Sequence, residues 1–544
     1  MIGSSWKFGV AALAAFVVAF SGANDASATV FCAPDTSFAG CPLGATDAPG
    51  SGSDSIETAM ASNGSDGIAD TVHIAPGTFV NLASYEADGT DDLTVIGSGR
   101  EQTVLTSSST SNIYLLELNS GNSRDITVRN LTLLIPASFP DGPGYGAGVQ
   151  ATRDSFESVD LVTENNNSYG FSSMIGGGKL EDVRVSGRNG ARFARAIDAG
   201  SCSAGQMKID RSSFASATYG LAWSCPSAPV TVDRTSFAGV DMAISAANGA
   251  QVAASNLLIQ SGDLAPVELY NSAGAGTTKV TLNHATIVAT GDASMPAVRA
   301  KVANTGSATS SIELGVSNSI ITGFAKSWDL EAPVSGTLGN VSLAVRYSLF
   351  DSSGVLLGDV SADQATGNIS GNPGFAGIND FHLSPTSSAV DAGDPAAALP
   401  AVDLDGAARP VDGNGDGSAI RDMGAYEAAQ PVCPLVPSLC GPADTTKPKI
   451  SKYKFSYRVR KGGSLKFKLS EAASVSVVFT PTPKKTKNVK KRKTYKITRK
   501  LKKGSATIKL GKGKLKKGRY KLKLVATDAA GNKSKTLSKT VKVK

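Results

Sequence analysis

Val128-Arg129-Asn130-Leu131-Thr132-Leu133, Ile209-Asp210-Arg211-Ser212-Ser213-Phe214, Val232-Asp233-Arg234-Thr235-Ser236-Phe237 and Leu282-Asn283-His284-Ala285-Thr286-Ile287 are variants of one phrase. An apolar strand-like residue precedes an Asn, Arg or His, and small polar residues lead into another apolar run. Looser copies are Val183-Arg184-Val185-Ser186, Ser255-Asn256-Leu257-Leu258-Ile259, Ser317-Asn318-Ser319-Ile320-Ile321 and Val345-Arg346-Tyr347-Ser348-Leu349. Marking Asn130, Arg184, Arg211, Arg234, Asn256, His284, Asn318 and Arg346 gives successive steps of 54, 27, 23, 22, 28, 34 and 28 residues, the first being two turns with one poorly marked. A period of this size signals stacked repeats. Each repeat is too short for a strand–helix–strand unit and long enough for about three short strands and their turns. Successive rungs would stack about 4.8 Å apart. The marked residue falls where one strand gives way to the next, and Asn tolerates the left-handed backbone that a corner needs. Asn side chains stacked there would hydrogen-bond along the axis, whereas Arg suits the position less well and is expected to face solvent.

Composition agrees with a β-rich chain. The 544 residues include 58 glycines and 6% aromatics, and few segments show helical periodicity. The net charge of +8 conceals an asymmetry. Residues 445–544 hold 34 Lys and Arg against 2 acids, which leaves 20 basic and 44 acidic residues elsewhere, so the two parts carry +32 and −24. Opposite charge in two parts of one chain argues for separate modules. Lys7, the apolar run from Phe8 to Phe20 and Ala26-Ser27-Ala28 read as a secretory signal over 1–28. No second apolar run follows, so a secreted, extracellular or surface-associated protein without a transmembrane anchor is expected. Six cysteines suit an oxidising compartment. Cys32 neighbours Cys41, and Cys433 neighbours Cys440. Cys202 and Cys225 are 23 apart, the Arg211–Arg234 step, which places them on adjacent rungs within disulfide reach. Zinc is disfavoured because no CxxC or His partner accompanies them.

Along the chain, residues 29–70 form an N-terminal cap. In it, Asp54-Ser55-Ile56-Glu57 starts a helix with Ile56, Ala59 and Met60 on its apolar face, placed to cover the edge of the first strand. Residues 369–428 form a closing segment, and the Pro- and Cys-containing 429–446 is a linker. From 447 to 544, Ser464-Leu465-Lys466-Phe467-Lys468-Leu469 and Tyr520-Lys521-Leu522-Lys523-Leu524-Val525 alternate as half-buried antiparallel strands.

Asp70-Thr71-Val72-His73-Ile74-Ala75-Pro76-Gly77-Thr78-Phe79 near the start, and Phe381-His382-Leu383-Ser384-Pro385, Asp391-Ala392-Gly393 and Met423-Gly424-Ala425-Tyr426-Glu427 near the end, carry a resemblance. On them, residues 54–428 resemble the secreted bacterial right-handed parallel β-helix proteins of the pectin-lyase-like superfamily, in particular those with a choice-of-anchor terminal segment. Asp528-Ala529-Ala530-Gly531-Asn532 before a last strand gives the tail a looser resemblance to bacterial immunoglobulin-like or fibronectin-like modules. The resemblance implies an all-β chain, a right-handed parallel β-helix followed by a small antiparallel β-sandwich. A fold does not dictate function.

The superfamily's enzymes attack acidic polysaccharide, and their marks are missing here. Arg409-Pro410 is not the Arg-x-Pro-x-x-Arg of the pectate-lyase-like members, and the Asn-Thr-Asp and Gly-His-Gly of the polygalacturonase-like ones do not occur. His73, His284 and His382, the three histidines, belong to end motifs and the repeat. Candidate groove acids are Asp160, Glu164, Asp182, Asp198, Asp210, Asp233 and Glu268, with Lys179 and Lys208 as partners. Asp210-Arg211 and Asp233-Arg234 recur one step apart, so they should stack as a charge ladder, either a solvated ion-pair row or a sugar-binding strip. Asp412-Gly413-Asn414-Gly415-Asp416-Gly417 matches D-x-N-x-D-G, but the twelfth position is Met423, which excludes a standard EF-hand. Calcium on Asp403, Asp405, Asp412, Asn414 and Asp416 is the one cofactor reading left, against a plain turn series. Lys484, Lys485, Lys490, Lys491, Arg492 and Lys493 form the densest basic run and would draw the tail to polyanionic envelope polymers. Without interleaved aromatics, specific nucleic-acid recognition is not expected. The leading expectation is a carbohydrate-interacting, non-catalytic surface protein. A polysaccharide lyase or glycoside hydrolase comes second and a structural coat protein third.

Overall fold

The computed structural model describes residues 28–430 and 446–544, apart from 62–66, 83, 88–90, 111–113, 119–123, 140–146, 152, 173–177, 200–201, 203, 262, 273, 275, 292–293, 304–308, 334–338, 352–353, 483–492 and 529–531. The chain divides into two compact units, 1–430 and 431–544. The proposed signal segment, apart from Ala28, and the Cys433–Cys440 pair lie outside the described residues.

The first unit is a parallel β-helix with three sheets. The first sheet runs from Asp70–Ile74 and Leu93–Gly97 through the opening half of Ile126–Ile135 to Gly339–Arg346 and Val360–Thr366. The second begins with Gly77–Asn81 and Thr103–Ser107 and reaches Leu349–Phe350. The third begins with Tyr85–Ala87 and Tyr114–Leu118 and reaches Gly354–Leu357. Val230–Ala247 passes through all three sheets, turning at Arg234 (φ 45°) and Gly239 (φ 65°).

Side-chain alternation explains the core. One inward row of the first sheet is Val95, Val128, Phe156, Leu180, Ile209 and Val232, each in register with the next and buried. The second sheet supplies Leu133, Leu161, Val185, Phe214, Phe237 and Ile259 in the same way. Phe214 and Phe237 stack at 5.2 Å with an 18° interplanar angle. No rung buries its inward row alone, because its neighbours supply the facing atoms.

The corner between the first and second sheets is a column of left-handed residues. Asn130, Asn256 and Asn318 occupy it with φ between 50° and 59°, as the repeat implies. Arg211 (48°), Arg234 (45°) and His284 (54°) adopt the same conformation. The expectation that Arg merely faces solvent is therefore corrected: its backbone takes the corner while its side chain enters an ion-pair row. Two marked positions shift, since the corners near Arg184 and Arg346 are Asp182 and Tyr347, and Ser158 (55°) is the turn hidden in the 54-residue step. The phrase scored side-chain type, whereas register decides which residue bends. The Asn residues also do not form one continuous stack. Asn256 donates to Asp233 Oδ1 at 2.9 Å and Asn318 to Asn283 Oδ1 at 2.9 Å. Just past the corner, the buried hydroxyls of Ser212, Thr235, Ser319 and Ser348 donate to the carbonyl two residues back.

The helix Ser53–Ala61 buries Ile56, Ala59 and Met60 as expected. The edge of Asp70–Ile74 is paired by a further strand, Val30–Ala33, so strand pairing and not the helix alone protects it. Cys32–Cys41 and Cys202–Cys225 are disulfides with Cα separations of 5.9 and 5.2 Å.

The closing segment does not plug the end of the coil. It lies along the outer face of the second sheet, where Leu383, Val390 and Met423 cover Ile320 and Leu349, and Phe381, Ala425 and Tyr426 cover Leu258. Asn318 Oδ1 accepts from Asp394 N at 2.7 Å, and Thr286 Oγ1 from Ala425 N at 2.9 Å. Gly424 (φ 92°) comes so close that a Cβ there would sit 2.7 Å from Thr286 Oγ1. Inside the segment, the fully buried Arg409 meets Glu427 at 2.7 Å and donates to Gly424 O at 2.9 Å.

The second unit is an antiparallel β-sandwich. Ile450–Arg458, Gly462–Leu469 and Gly504–Leu510 form one sheet, and Tyr495–Leu501, Ala473–Pro481, Gly518–Thr527 and Leu537–Val543 the other. Leu465, Phe467, Val477, Phe479, Leu522 and Leu524 are buried together, and lysines alternate with them outside.

Phe237→Ala should cost about 3–5 kcal/mol in denaturant unfolding of the first unit, because the rungs on both sides hold the hole open. An effect below about 1 kcal/mol would show that the aromatic column does not support the coil.

Candidate functional site

On the outer face of the first sheet, Glu157, Glu181, Asp210 and Asp233 stand in direct register on consecutive rungs. Like charges at one-rung spacing repel, and each gap in the row is bridged by a cation. Lys179 Nζ lies 3.2 Å from Glu157 and also pairs with Glu181. Arg211 pairs with Glu181 and with Asp210 at 2.9 Å. Arg234 grips Asp210 in a fork, Nη2 to Oδ2 at 2.7 Å and Nε to Oδ1 at 3.1 Å, and reaches Asp233 at 3.4 Å. Ser255 and Asn256 end the row by donating to Asp233 Oδ1. The left-handed backbone at Arg211 and Arg234 thus launches each guanidinium beside the carboxylate row. Asp210 and Arg234 retain 24% and 22% side-chain exposure, so the row is neither fully solvated nor sealed. Lys208 is exposed next to it and makes no ion pair among the described residues.

From the row's last rung onward the sheet surface is made of small side chains, in the column that Lys179 and Lys208 occupy on the rungs before. Thr231, Ala253 and Thr281 are in register and floor a depression of about 250 Å³, edged by Gln206, Gln251 and Lys279.

A second charged cluster lies at the corner. Arg100, 12% exposed, is 2.7 Å from Asp182 and 3.4 Å from Asp160. Ser158 Oγ donates to Asp182 at 2.8 Å. Burial raises the Asp160 carboxyl above its ordinary range, and the Arg100 and Arg184 charges only partly offset this. The sequence offered Asp160 and Asp182 but not Arg100. Its role depends on the corner register of Ser158 and Asp182, which the repeat phrase missed.

The four residues of the expected ladder, Asp210, Arg211, Asp233 and Arg234, are therefore brought together. The other groove acids are dispersed. Asp198 pairs with Arg195 at 2.5 Å, and Glu268 lies 3.8 Å from Arg299, both on the third sheet. The five calcium candidates do not converge. Asp403 accepts from the Ala407 and Glu427 amides. Asp405 meets His382 Nε2 at 2.8 Å. Asp412 accepts from Gly415, Asp416 and Gly417, Asn414 from Asp416, and Asp416 from Ser418. The bonds within 412–418 are turn hydrogen bonds, and among the described residues no group of three or more His, Cys, Asp or Glu is arranged to hold a metal ion. Of the basic run at 484–493, Lys493 alone is described.

No family model matches the chain, and no curated protein matches it. Among solved structures it is similar to the gp42 tailspike of Acinetobacter phage vb_AbaP_AS12, with 10% identity and a TM-score of 0.31 over 87% of this chain and 77% of that one. It is also similar to the A-module of the mannuronan C-5 epimerase AlgE6 of Azotobacter vinelandii, with 15% identity and a TM-score of 0.27 over 59% of this chain and 94% of that one. The fold assignment rests on the strand register itself.

The three histidines differ in setting. His382 lies against Tyr426 with ring centroids 4.0 Å apart and planes tilted by 34°, and although burial pulls its pKa down, Asp405 and Asp380 outweigh that and raise it. His73 is lowered by burial and by Arg129. His284 is buried under the closing segment, and burial, then the Arg409 and Arg421 charges, press its pKa down to about 2. It is neutral in the fold and protonates in the unfolded chain near 6.5. Its contribution to stability is complete above pH 6.5 and is lost as pH falls below it, by up to about 1.4 kcal/mol per pH unit. Asp422, raised to about 8 by burial and Glu427, has the opposite sign, favouring the fold less as pH climbs from about 4 to 8. His284→Asn keeps a residue suited to the left-handed corner and removes the histidine effect alone. The Tm difference between variant and parent should thus shift in the variant's favour as pH drops from 7 to 5. A difference that stays constant over that range would refute a neutral buried His284.

Proposed function

We propose that the first unit binds an extracellular polysaccharide along the outer face of its first sheet, and that the basic second unit is drawn to polyanionic envelope polymers. The observation that carries the reading is the in-register row Glu157–Glu181–Asp210–Asp233 with its interleaved Lys179, Arg211 and Arg234, continued past its last rung by the floor of Thr231, Ala253 and Thr281. The row offers fixed, half-exposed donors and acceptors at a spacing of about 4.8 Å, and a sugar chain presents hydroxyls at regular intervals to match. The small residues let such a chain lie flat. Charged groups held by partners on both sides need little reordering to receive a ligand. As surface ion pairs they contribute little to stability, so their regularity is better explained by recognition. Secretion, which the sequence suggests, would place the protein where such polymers occur.

A catalytic reading has one specific support: Asp160, a carboxyl with a raised pKa beside Arg100 and Asp182, has the character of a proton donor in glycoside chemistry.

A glycan array with the full chain, with and without calcium, read for binding and for cleavage, tests both. Binding without cleavage is expected, calcium-independent, and weakened at least ten-fold by Asp210→Asn with Asp233→Asn at unchanged Tm. Binding untouched by the double variant would remove the first sheet from the site. Cleavage abolished by Asp160→Asn would establish the enzyme instead.

A further inference from the structure

The second unit contains a cationic cup at one end of its sandwich. Three pieces of chain distant in sequence meet there. Arg458 ends the strand Ile450–Arg458, Arg460 and Lys461 come from the turn after it, Lys516 and Lys517 from the turn before Gly518–Thr527, and Lys544 follows Leu537–Val543. They surround a concavity of about 560 Å³, and all six are exposed. Val459, half-buried, is the one uncharged residue lining it among the described residues.

The loops are fixed from beneath. Val459 N donates to Lys544 O at 3.0 Å and Gly513 N to Val459 O at 3.1 Å. The hydroxyl of the buried Tyr457 donates to Gly511 O and accepts from Leu515 N. The hydroxyl of the buried Tyr520 donates to Lys516 O and accepts from Lys516 N. Six like charges held on tied loops repel one another. Among the described residues none of the six pairs with a carboxylate. The two acids of residues 445–544 are engaged elsewhere, Glu471 with Ser470 and Asp528 with the Asn532 amide.

We propose that this cup binds consecutive phosphate groups of a flexible, non-aromatic phosphodiester polymer. Phosphate is the anion whose charge and several acceptor oxygens best use a mixed set of Lys and Arg donors. The concavity is larger than one phosphate requires. A bilayer surface is less suitable, because no large hydrophobic side chain of this unit is prominently exposed among the described residues to anchor in lipid. Nucleic acid is less suitable as well, because among the described residues no aromatic ring lines the cup to stack a base. This inference rests on the polyanion reading of the second unit and locates it at one place.

The test compares two full-length variants of equal charge. One replaces Arg460, Lys461, Lys516 and Lys517 in the cup with Gln. The other replaces Lys496, Lys521, Lys523 and Lys542, on the outer face of the four-stranded sheet, with Gln. Each is titrated at about 0.1 M salt, where screening acts beyond about 10 Å, with poly(glycerol phosphate), with polygalacturonate and with phosphatidylglycerol vesicles. The cup variant should lose at least ten-fold in affinity for poly(glycerol phosphate) and the sheet variant less than three-fold, with the parent preferring that polymer over polygalacturonate. Equal losses would overturn the cup while leaving a diffuse polyanion attraction intact. No binding of the parent to any of the three probes would overturn both. Tighter binding to the vesicles than to the soluble polymer would overturn the assignment to a polymer. Near-identical Tm values for the three proteins confirm that folding is not the variable.

Discussion

The coil depends on one backbone constraint, a left-handed residue at the same point of nearly every turn. An L-residue enters that conformation at a cost, and the surrounding ladder must hold it there. It does so through the main chain. Asp182 N donates to Asp210 O, Arg211 N to Asp233 O and Asn318 N to Arg346 O, so the bend itself takes part in the rung-to-rung hydrogen bonding. Once the corner is fixed, the alternation on either side of it is fixed too. The apolar rows turn inward and the row containing Asp210 and Asp233 turns outward. Architecture and charge display therefore have one origin, since a single-residue slip at a corner would exchange the two faces.

That origin explains what was legible. The period, the parallel coil and the Cys202–Cys225 bridge could be read because each repeats a spacing, and spacing survives in sequence. The ladder at 210–211 and 233–234 was legible for the same reason. Ser158, Asp182 and Tyr347 were not, because a corner needs only tolerance of its backbone angle, and tolerance leaves no strict residue signature. Arg100 was missed as a consequence, for its partners are placed by those corners. The closing segment was recognised as distinct by its end motifs, Phe381-His382-Leu383-Ser384-Pro385 and Met423-Gly424-Ala425-Tyr426-Glu427 among them. Its position on the second sheet was not, because that depends on contacts such as Asn318 with Asp394 that have no local trace. The Asp and Asn residues that suggested calcium illustrate the ambiguity of such runs, since the same side chains that would ligate a cation also close tight turns.

The two units handle charge in opposite ways. In the coil every carboxylate of the ladder is answered by a Lys or Arg on its own rung or the next, so the surface is dense in polar groups but locally balanced. In the sandwich lysines occupy alternate positions on strands with almost no acids among them, and the fold adds a concavity where six cations converge. The first pattern favours short-range, geometry-dependent contacts. The second acts over a Debye length and depends on ionic strength.

The closing segment also sets an order of events. The hydrogen bonds that join neighbouring rungs link residues about one turn apart, as with Asn256 and Asp233 at a separation of 23. Those that dock the segment span 76 residues from Asn318 to Asp394 and 139 from Thr286 to Ala425. Longer closures cost more chain entropy and are repaid only when the surface they meet already exists. During synthesis the rungs can accumulate one on another as the chain emerges, and the segment, made after them and before the second unit, latches onto a finished sheet. A chain truncated before residue 369 would leave Leu258, Ile320 and Leu349 as a bare apolar strip, so the latch also conceals from neighbouring molecules the stickiest part of the coil's outer surface.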